Sequence, residues 1–315
     1  MEGLTMNHRI LTTTRRAALR LAITGAGAVA TATTSYGGHF DLSGSTPARG
    51  YIKGPFGLLH YYDNGERLGR PLLMFHQAPM SARQFDSVYE PLARRGIRAI
   101  GIDLPGFGMS DPTPFVPRCE DWALIAPAIL DHFDIARVDV LGHHTGAMIA
   151  TEIGIQFPDR VRRLILNGPM PMNQEERKRR LDWVKTAEID FKYEADGSHL
   201  ASSFRSRYKM YAAAAKPEVR LITRYTVEKF MGLAPFWYGH NAAFQYDHER
   251  GLRTLKVRTL LLTNTGDQIY EHCQIARRLR PDFAYVELQG GGIDVVDQLP
   301  EEWADAVANF TAGAS

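Results

Sequence analysis

The sequence predicts an α/β protein, a mostly parallel sheet with flanking helices and one helical insertion. Three observations predict it. Short apolar runs of strand type alternate with segments of helical spacing from Gly57 onward. That rhythm stops between Met172 and Arg250 and then resumes. The chain also has the means to bury a sizeable core: 315 residues, 44% hydrophobic and only 23% charged, a balance that excludes a disordered or fibrous protein.

Taken in order, Gly57–Tyr62 and Pro71–Phe75 read as strands, the first of them ending at the turn Asp63-Asn64-Gly65. Ser81 is placed to cap a helix that runs through Arg95 and ends at Gly96. Ile97–Ile102 is a strand, the segment from Asp103 to Asp111 a glycine-rich loop, and Glu120–Phe133 helical. Val138–Leu141 is a strand, Gly146–Phe157 a helix stopped by Pro158, and Val161–Leu166 a strand again. After the insertion come the strand Val257–Leu262, the helix Glu271–Leu279, the strand Ala284–Leu288 and the helix Pro300–Phe310. Strands alternating with helices require crossover connections and hence parallel pairing. An insertion between two such strands is naturally a lid over the sheet's carboxyl edge. This one is rich in aromatics, Trp237 and Tyr238 among them.

The charge balance is near neutral, 37 basic against 35 acidic residues, which excludes a basic nucleic-acid or anionic-membrane binder. Two cysteines, Cys119 and Cys273, cannot build a disulfide framework or a CxxC zinc site. Arg15-Arg16 precede a weakly apolar run, Leu21–Ala30, and the A-x-A-like Ala30-Thr31-Ala32. This pattern is that of a twin-arginine export signal over residues 1–32, too short and too rich in Gly and Thr to span a bilayer. Removing it takes away four Arg and one Glu, so the remainder holds 33 basic and 34 acidic residues. The expected organisation is a signal at 1–32, a linker at 33–50, a core formed by 51–170 and 251–315, and a lid at 171–250. The expected location is exported, periplasmic or secreted, and otherwise cytoplasmic.

The segment Val138-Asp139-Val140-Leu141-Gly142-His143-His144-Thr145-Gly146-Ala147 is a strand, a tight turn and a helix start, with glycines two before and two after position 144. Such spacing raises one side chain above a sheet, as in G-x-S-x-G. Together with Phe75-His76-Gln77, the loop Asp103–Asp111 and Gly266-Asp267, it makes residues 51–315 resemble the α/β-hydrolase superfamily, in the branch of epoxide hydrolases, haloalkane dehalogenases and carbon–carbon bond hydrolases. The resemblance implies an eight-stranded sheet, a helical lid, a small-molecule substrate, a monomer or homodimer, and no cofactor.

The departures from the pattern are informative. His144 stands where the resemblance implies Ser or Asp. Ile293, seven residues before Pro300, stands where it implies the catalytic His. Asp267 aligns with the acid. The Ser–His–Asp arrangement is therefore absent. An imidazole at 144 has lost a rival at 293 and is free to point at Asp267; a carboxylate on one ring nitrogen fixes the tautomer and leaves the other nitrogen as base. An oxyanion hole is then expected from the backbone N–H of Thr145 and one from Gln77 or Ala78.

His76, Asn167, Trp237, Tyr238, Ile293 and Asp294 are candidates to line the pocket. Asp294 is also a candidate replacement acid, and Asn167 an orienting amide. His76 and His143 have packing alternatives. A metal held by His76, His143, His144, Asp267 and His272 is disfavoured, because no pair has a helical ligand spacing. The expected function is hydrolysis of an ester, lactone or similar bond in a small apolar substrate by a His144–Asp267 dyad. Its alternatives are a lyase, cyclase or cofactor-free oxygenase with His144 as base, and a ligand-binding protein that has lost its chemistry.

Overall fold

The computed structural model describes residues 47–313. The leader expected at 1–32 and most of the linker lie outside the described residues. Eight strands form one sheet: β1 (Ala48–Gly54), β2 (Gly57–Asp63), β3 (Arg70–Phe75), β4 (Ile97–Ile102), β5 (Val138–His143), β6 (Val161–Asn167), β7 (Thr259–Asn264) and β8 (Ala284–Leu288). Their spatial order is β1-β2-β4-β3-β5-β6-β7-β8. β1 and β2 are antiparallel to their neighbours, and every other pairing is parallel. β1 begins at Ala48, so the sheet starts inside the segment expected to be linker.

β5 lies at the centre and every one of its six residues is buried. In β3, Leu73 and Phe75 join the cluster on one face of the sheet with Trp122, Val140 and Met148. Leu72 and Met74 join the cluster on the other face with Leu141 and Trp303. This period-two division is what a strand covered on both faces requires, and each large side chain so buried contributes about 1.5–3 kcal/mol.

The flanking helices follow the predicted spacing with two breaks. The helix expected over Ser81–Arg95 is a short 3₁₀ turn, Ala82–Phe85, and then α1 (Tyr89–Arg94); Ser81 caps the turn, its Oγ accepting from the Arg83 N–H. The helix expected over Glu120–Phe133 is two helices, α2 (Cys119–Ala123) and α3 (Ala126–His132), with Pro127 in the first turn of the second. A proline lacks an N–H and begins a helix more readily than it continues one.

α4 (Thr145–Gln156) follows β5. The insertion is α5 (Gln174–Val184), α6 (Ser198–Ala212), α7 (Val219–Met231) and α8 (Tyr238–Gln245). α9 (His248–Thr254) crosses residue 250, the expected lid boundary, and packs on α4. α10 (Tyr270–Leu279), α11 (Val295–Gln298) and α12 (Pro300–Ala312) complete the core. No described helix is long and apolar enough to cross a membrane.

Candidate active site

The site is built at the end of β5. His144 links that strand to α4 with φ 51° and ψ −109°, a backbone conformation that an L residue adopts only under strain, at a cost of about 1–3 kcal/mol. The neighbouring glycines make the bend possible. A Cβ on Gly142 would overlap the Gly146 carbonyl, and one on Gly146 would overlap the carbonyl of Phe75. Two hydrogen bonds hold the bend: the His144 N–H donates to Asn167 O at 2.8 Å, and the His144 carbonyl accepts from the Ala147 N–H at 2.8 Å.

The structure brings His144 and Asp267 together. His144 Nε2–H donates to Asp267 Oδ2 at 2.8 Å. Asp267 Oδ1 accepts from the Ile269 N–H at 3.1 Å. Burial alone would raise the Asp267 carboxyl, but His144 and the Ile269 N–H outweigh it and hold the pKa below the ordinary carboxylate value. Gly168 provides the room, since a Cβ there would collide with the imidazole at Cδ2 and Nε2. His144 Nδ1 has no partner among the described residues, and 11% of the side chain is exposed. An ionised acid therefore fixes one ring nitrogen and leaves the other able to take a proton.

His143 is wholly buried, and its ring stacks on that of His144 with centroids 4.5 Å apart and 15° between the planes. Nδ1 lies 2.7 Å from Asn167 Oδ1, and Nε2 lies 3.1 Å from the Ile293 carbonyl oxygen. Trp303 Nε1–H also donates to Asn167 Oδ1 at 2.8 Å, and Asn167 Nδ2 donates to Leu262 O at 3.2 Å. Burial, reinforced by His144, pushes the His143 pKa down to about 3.

Several expected site residues have other roles. The Gln77 N–H, expected in the oxyanion hole, donates to Gln84 Oε1 at 2.8 Å. It is therefore occupied, and the N–H groups of Ala78 and Thr145 are the candidates that remain. His76 does not line a pocket: it is buried, its Nε2 accepting from the Leu104 N–H at 3.0 Å and its Nδ1–H donating to Gln77 O at 2.9 Å. Asn167 orients His143 and is equally buried. Trp237 and Tyr238 are half-buried, packed edge to face on each other and against the main core cluster, the ordinary role of aromatics in an insertion. Ile293 presents its carbonyl to His143. Asp103 braces the glycine loop by accepting from the Met109 N–H (3.0 Å) and ties it to the 3₁₀ turn by accepting from the Ala82 N–H (2.7 Å).

Asp294 pairs with Arg207 of α6, and Asp297 with Tyr225 and, at 3.1 Å, with Arg224 of α7. Glu228 of α7 accepts from Ser81 Oγ at 3.1 Å. The helical insertion is thus fastened by buried polar and charged groups to the segment after Ile293 and to the loop after β3. Sequence reasoning missed this seam, and it missed Gln84; the available signal was Arg224 and Glu228, four residues apart on one face of α7. Among the described residues no three His, Cys, Asp or Glu side chains converge as for a metal, and His272 instead pairs with Glu176 at 2.9 Å.

Comparison with known proteins agrees with this architecture. A haloalkane dehalogenase of Mycolicibacterium paratuberculosis is 30% identical over 122 residues, 37% of this chain and 40% of that protein. A 2-hydroxy-6-oxononadienedioate/2-hydroxy-6-oxononatrienedioate hydrolase of Cupriavidus pinatubonensis is 31% identical over 113 residues, 35% of this chain and 39% of that protein. The matched stretches span about two fifths of these relatives' length. A thermophilic esterase from Thermogutta terrifontis, solved with malate bound, superposes with a TM-score of 0.65 at 21% identity, covering 84% of this chain and 98% of that one, a likeness of fold. Residues 70–291 match the family described as alpha/beta hydrolase fold. That match runs from β3 past β8 and takes in both the strained bend and the acid, so this chain belongs to the alpha/beta hydrolase fold family.

Proposed function

We propose that the protein is a cofactor-free enzyme that hydrolyses an ester, lactone or similar carbonyl bond in a small, largely apolar substrate. One observation carries the reading: a strained bend delivers an imidazole to a buried carboxylate and leaves the second ring nitrogen without a partner among the described residues. Asp267 holds Nε2–H, so the working atom is Nδ1. Nδ1 takes a proton from water as the oxygen attacks the carbonyl carbon, and the N–H groups of Thr145 and Ala78 receive the developing oxyanion. The dehalogenase, the hydrolase and the esterase named above support hydrolysis as the reaction class.

The test is a panel of aryl esters, lactones and epoxides offered to the parent and to His144→Ala. Turnover by the parent that is lost in the variant is expected. Equal turnover by both would remove His144 from the mechanism, and strong labelling by a fluorophosphonate would mean that a serine does the work.

A second reading, proton abstraction from a substrate carbon in a lyase, cyclase or oxygenase, is favoured by the engagement of the Gln77 N–H with Gln84, which leaves fewer donors for a tetrahedral oxyanion. His144-dependent exchange of substrate C–H for deuterium without hydrolysis would select it. A protein that binds the panel but turns over none of it would be a binding protein. We also propose export through the twin-arginine leader; Arg15→Lys with Arg16→Lys should retain the protein in the cytoplasm, and unchanged fractionation would refute that route.

A further inference from the structure

We propose that His143 is a positioning residue for His144: its flat ring, clamped behind the bend, sets the plane of the neighbouring imidazole so that Nε2 meets Asp267 and Nδ1 faces the reacting group. The inference rests on the reading of His144 as the working base.

A hydrogen bond to Asp267 fixes where one atom of the His144 ring lies, but the ring can still turn about that bond. Two further contacts remove this freedom. The Cδ2–Nε2 edge abuts Gly168, where even a methyl group would not fit. One face lies on His143, 4.5 Å away and nearly parallel. The edge bearing Nδ1 makes no hydrogen bond among the described residues, and 11% of the side chain is exposed.

The His143 ring is itself held in one pose. Asn167 cannot exchange its amide oxygen and nitrogen, because Trp303 Nε1–H donates to Oδ1 and Nδ2 donates to Leu262 O. Asn167 therefore offers His143 an acceptor, and the hydrogen sits on Nδ1. Nε2 then turns a lone pair toward the Ile293 carbonyl oxygen at 3.1 Å, so two acceptors face each other. A leucine or phenylalanine would fill the same volume without that conflict. Tolerance of a frustrated contact in a wholly buried place marks a residue kept for more than packing.

The ring's charge state suits the role. Burial keeps His143 neutral well below neutral pH. A neutral ring is what allows the imidazole stacked on it to accept a proton, since two cations at that separation would repel.

The experiment compares His143→Ala, His143→Leu and His143→Phe with the parent by ¹⁵N NMR of labelled histidine and by steady-state kinetics on the best substrate of the panel. The parent should show His144 as a single Nε2–H tautomer. Ala, and Leu, which fills space without a flat face, should show a tautomer mixture and a kcat about 10–100-fold lower, with KM within about twofold, as expected for a misaimed group. Phe, flat but unable to hydrogen-bond, should restore the single tautomer and bring kcat to within about threefold. A parent-like tautomer and kcat in both Ala and Leu would overturn the proposal, as would a Phe variant as impaired as Leu. Should Ala fail to fold, the Leu and Phe pair decides alone. If the parent turns over none of the panel, the functional reading fails, and the tautomer comparison still confirms or refutes the positioning.

Discussion

The bend at the end of β5 and the seam between lid and core are built from opposite materials. At the bend, close contact fixes geometry: Gly142 and Gly146 lie against carbonyl oxygens, Gly168 against an imidazole, and β5 is buried throughout. At the seam, charge does the holding. Arg207, Arg224 and Glu228 of the lid meet Asp294, Asp297, Asp86 and Ser81 of the core. Several of these groups keep a buried atom without a hydrogen-bond partner, including Asp294 Oδ2, Arg207 Nε and Glu228 Oε1. Steric contact is indifferent to pH, whereas a buried ionic network responds to it. The difference teaches that the geometry of the bend and the seating of the helical insertion rest on different forces, of which only the second responds to pH.

The sharpest way to break the comparison lies at the bend. His144→Ala should cost about 10²–10⁴-fold in turnover while leaving the thermal midpoint near that of the parent, because it removes a base and relieves strain together. Next in size is Arg224→Met, which leaves Asp297 and Glu228 buried without their cation. Melting should report a loss of about 3–5 kcal/mol with the His144 tautomer unchanged; a changed tautomer would show the two regions to be coupled. Gly146→Ala should do the reverse, costing about 1–3 kcal/mol and disturbing the tautomer, through a clash that only backbone movement relieves.

The smallest effect sharpens the pH contrast. Burial, with a further push from Asp86, raises the Glu228 carboxyl from an ordinary 4.5 to about 7 against the pull of Arg224, Arg83 and the Ser81 bond. A group raised in the folded state contributes stability that is complete below pH 4.5 and is lost as pH rises through about 7. Glu228→Gln removes that dependence. It should match the parent near pH 4.5 and exceed it above the raised value, measured by denaturant midpoints across the range. Equal curves at both ends would mean that the carboxyl is not buried in solution.

Most of the fold is legible in the sequence because it depends on local periods. Strand-length apolar runs, the stop at Pro158 and the glycine spacing around 144 are all read within a dozen residues. The pairing of His144 with Asp267 is legible too, through order along the chain. The breaks at Phe85 and Ala123 are less so, because both stretches keep helical spacing across a turn. What the sequence conceals is competition between partners distant along the chain. Nothing near Gln77 shows that Gln84 takes its N–H, and nothing near His143 shows that Trp303, 160 positions on, settles which way Asn167 points. The seam is hidden for the same reason: Arg207 and Asp294 lie 87 residues apart, and nothing near either shows the other as its partner.

The occupation of Asp267 by the side chain of residue 144 has a consequence for any exchange at that position. Placing serine at 144 would give a hydroxyl with no base to activate it, since Ile293 offers none. Restoring histidine at 293 first would set two rings competing for a single anion. Neither exchange alone recovers the common machinery, so an intermediate sequence on either route would be inert. Changes at 144 and 293 should therefore be strongly non-additive, the double exchange differing from the sum of the two single ones.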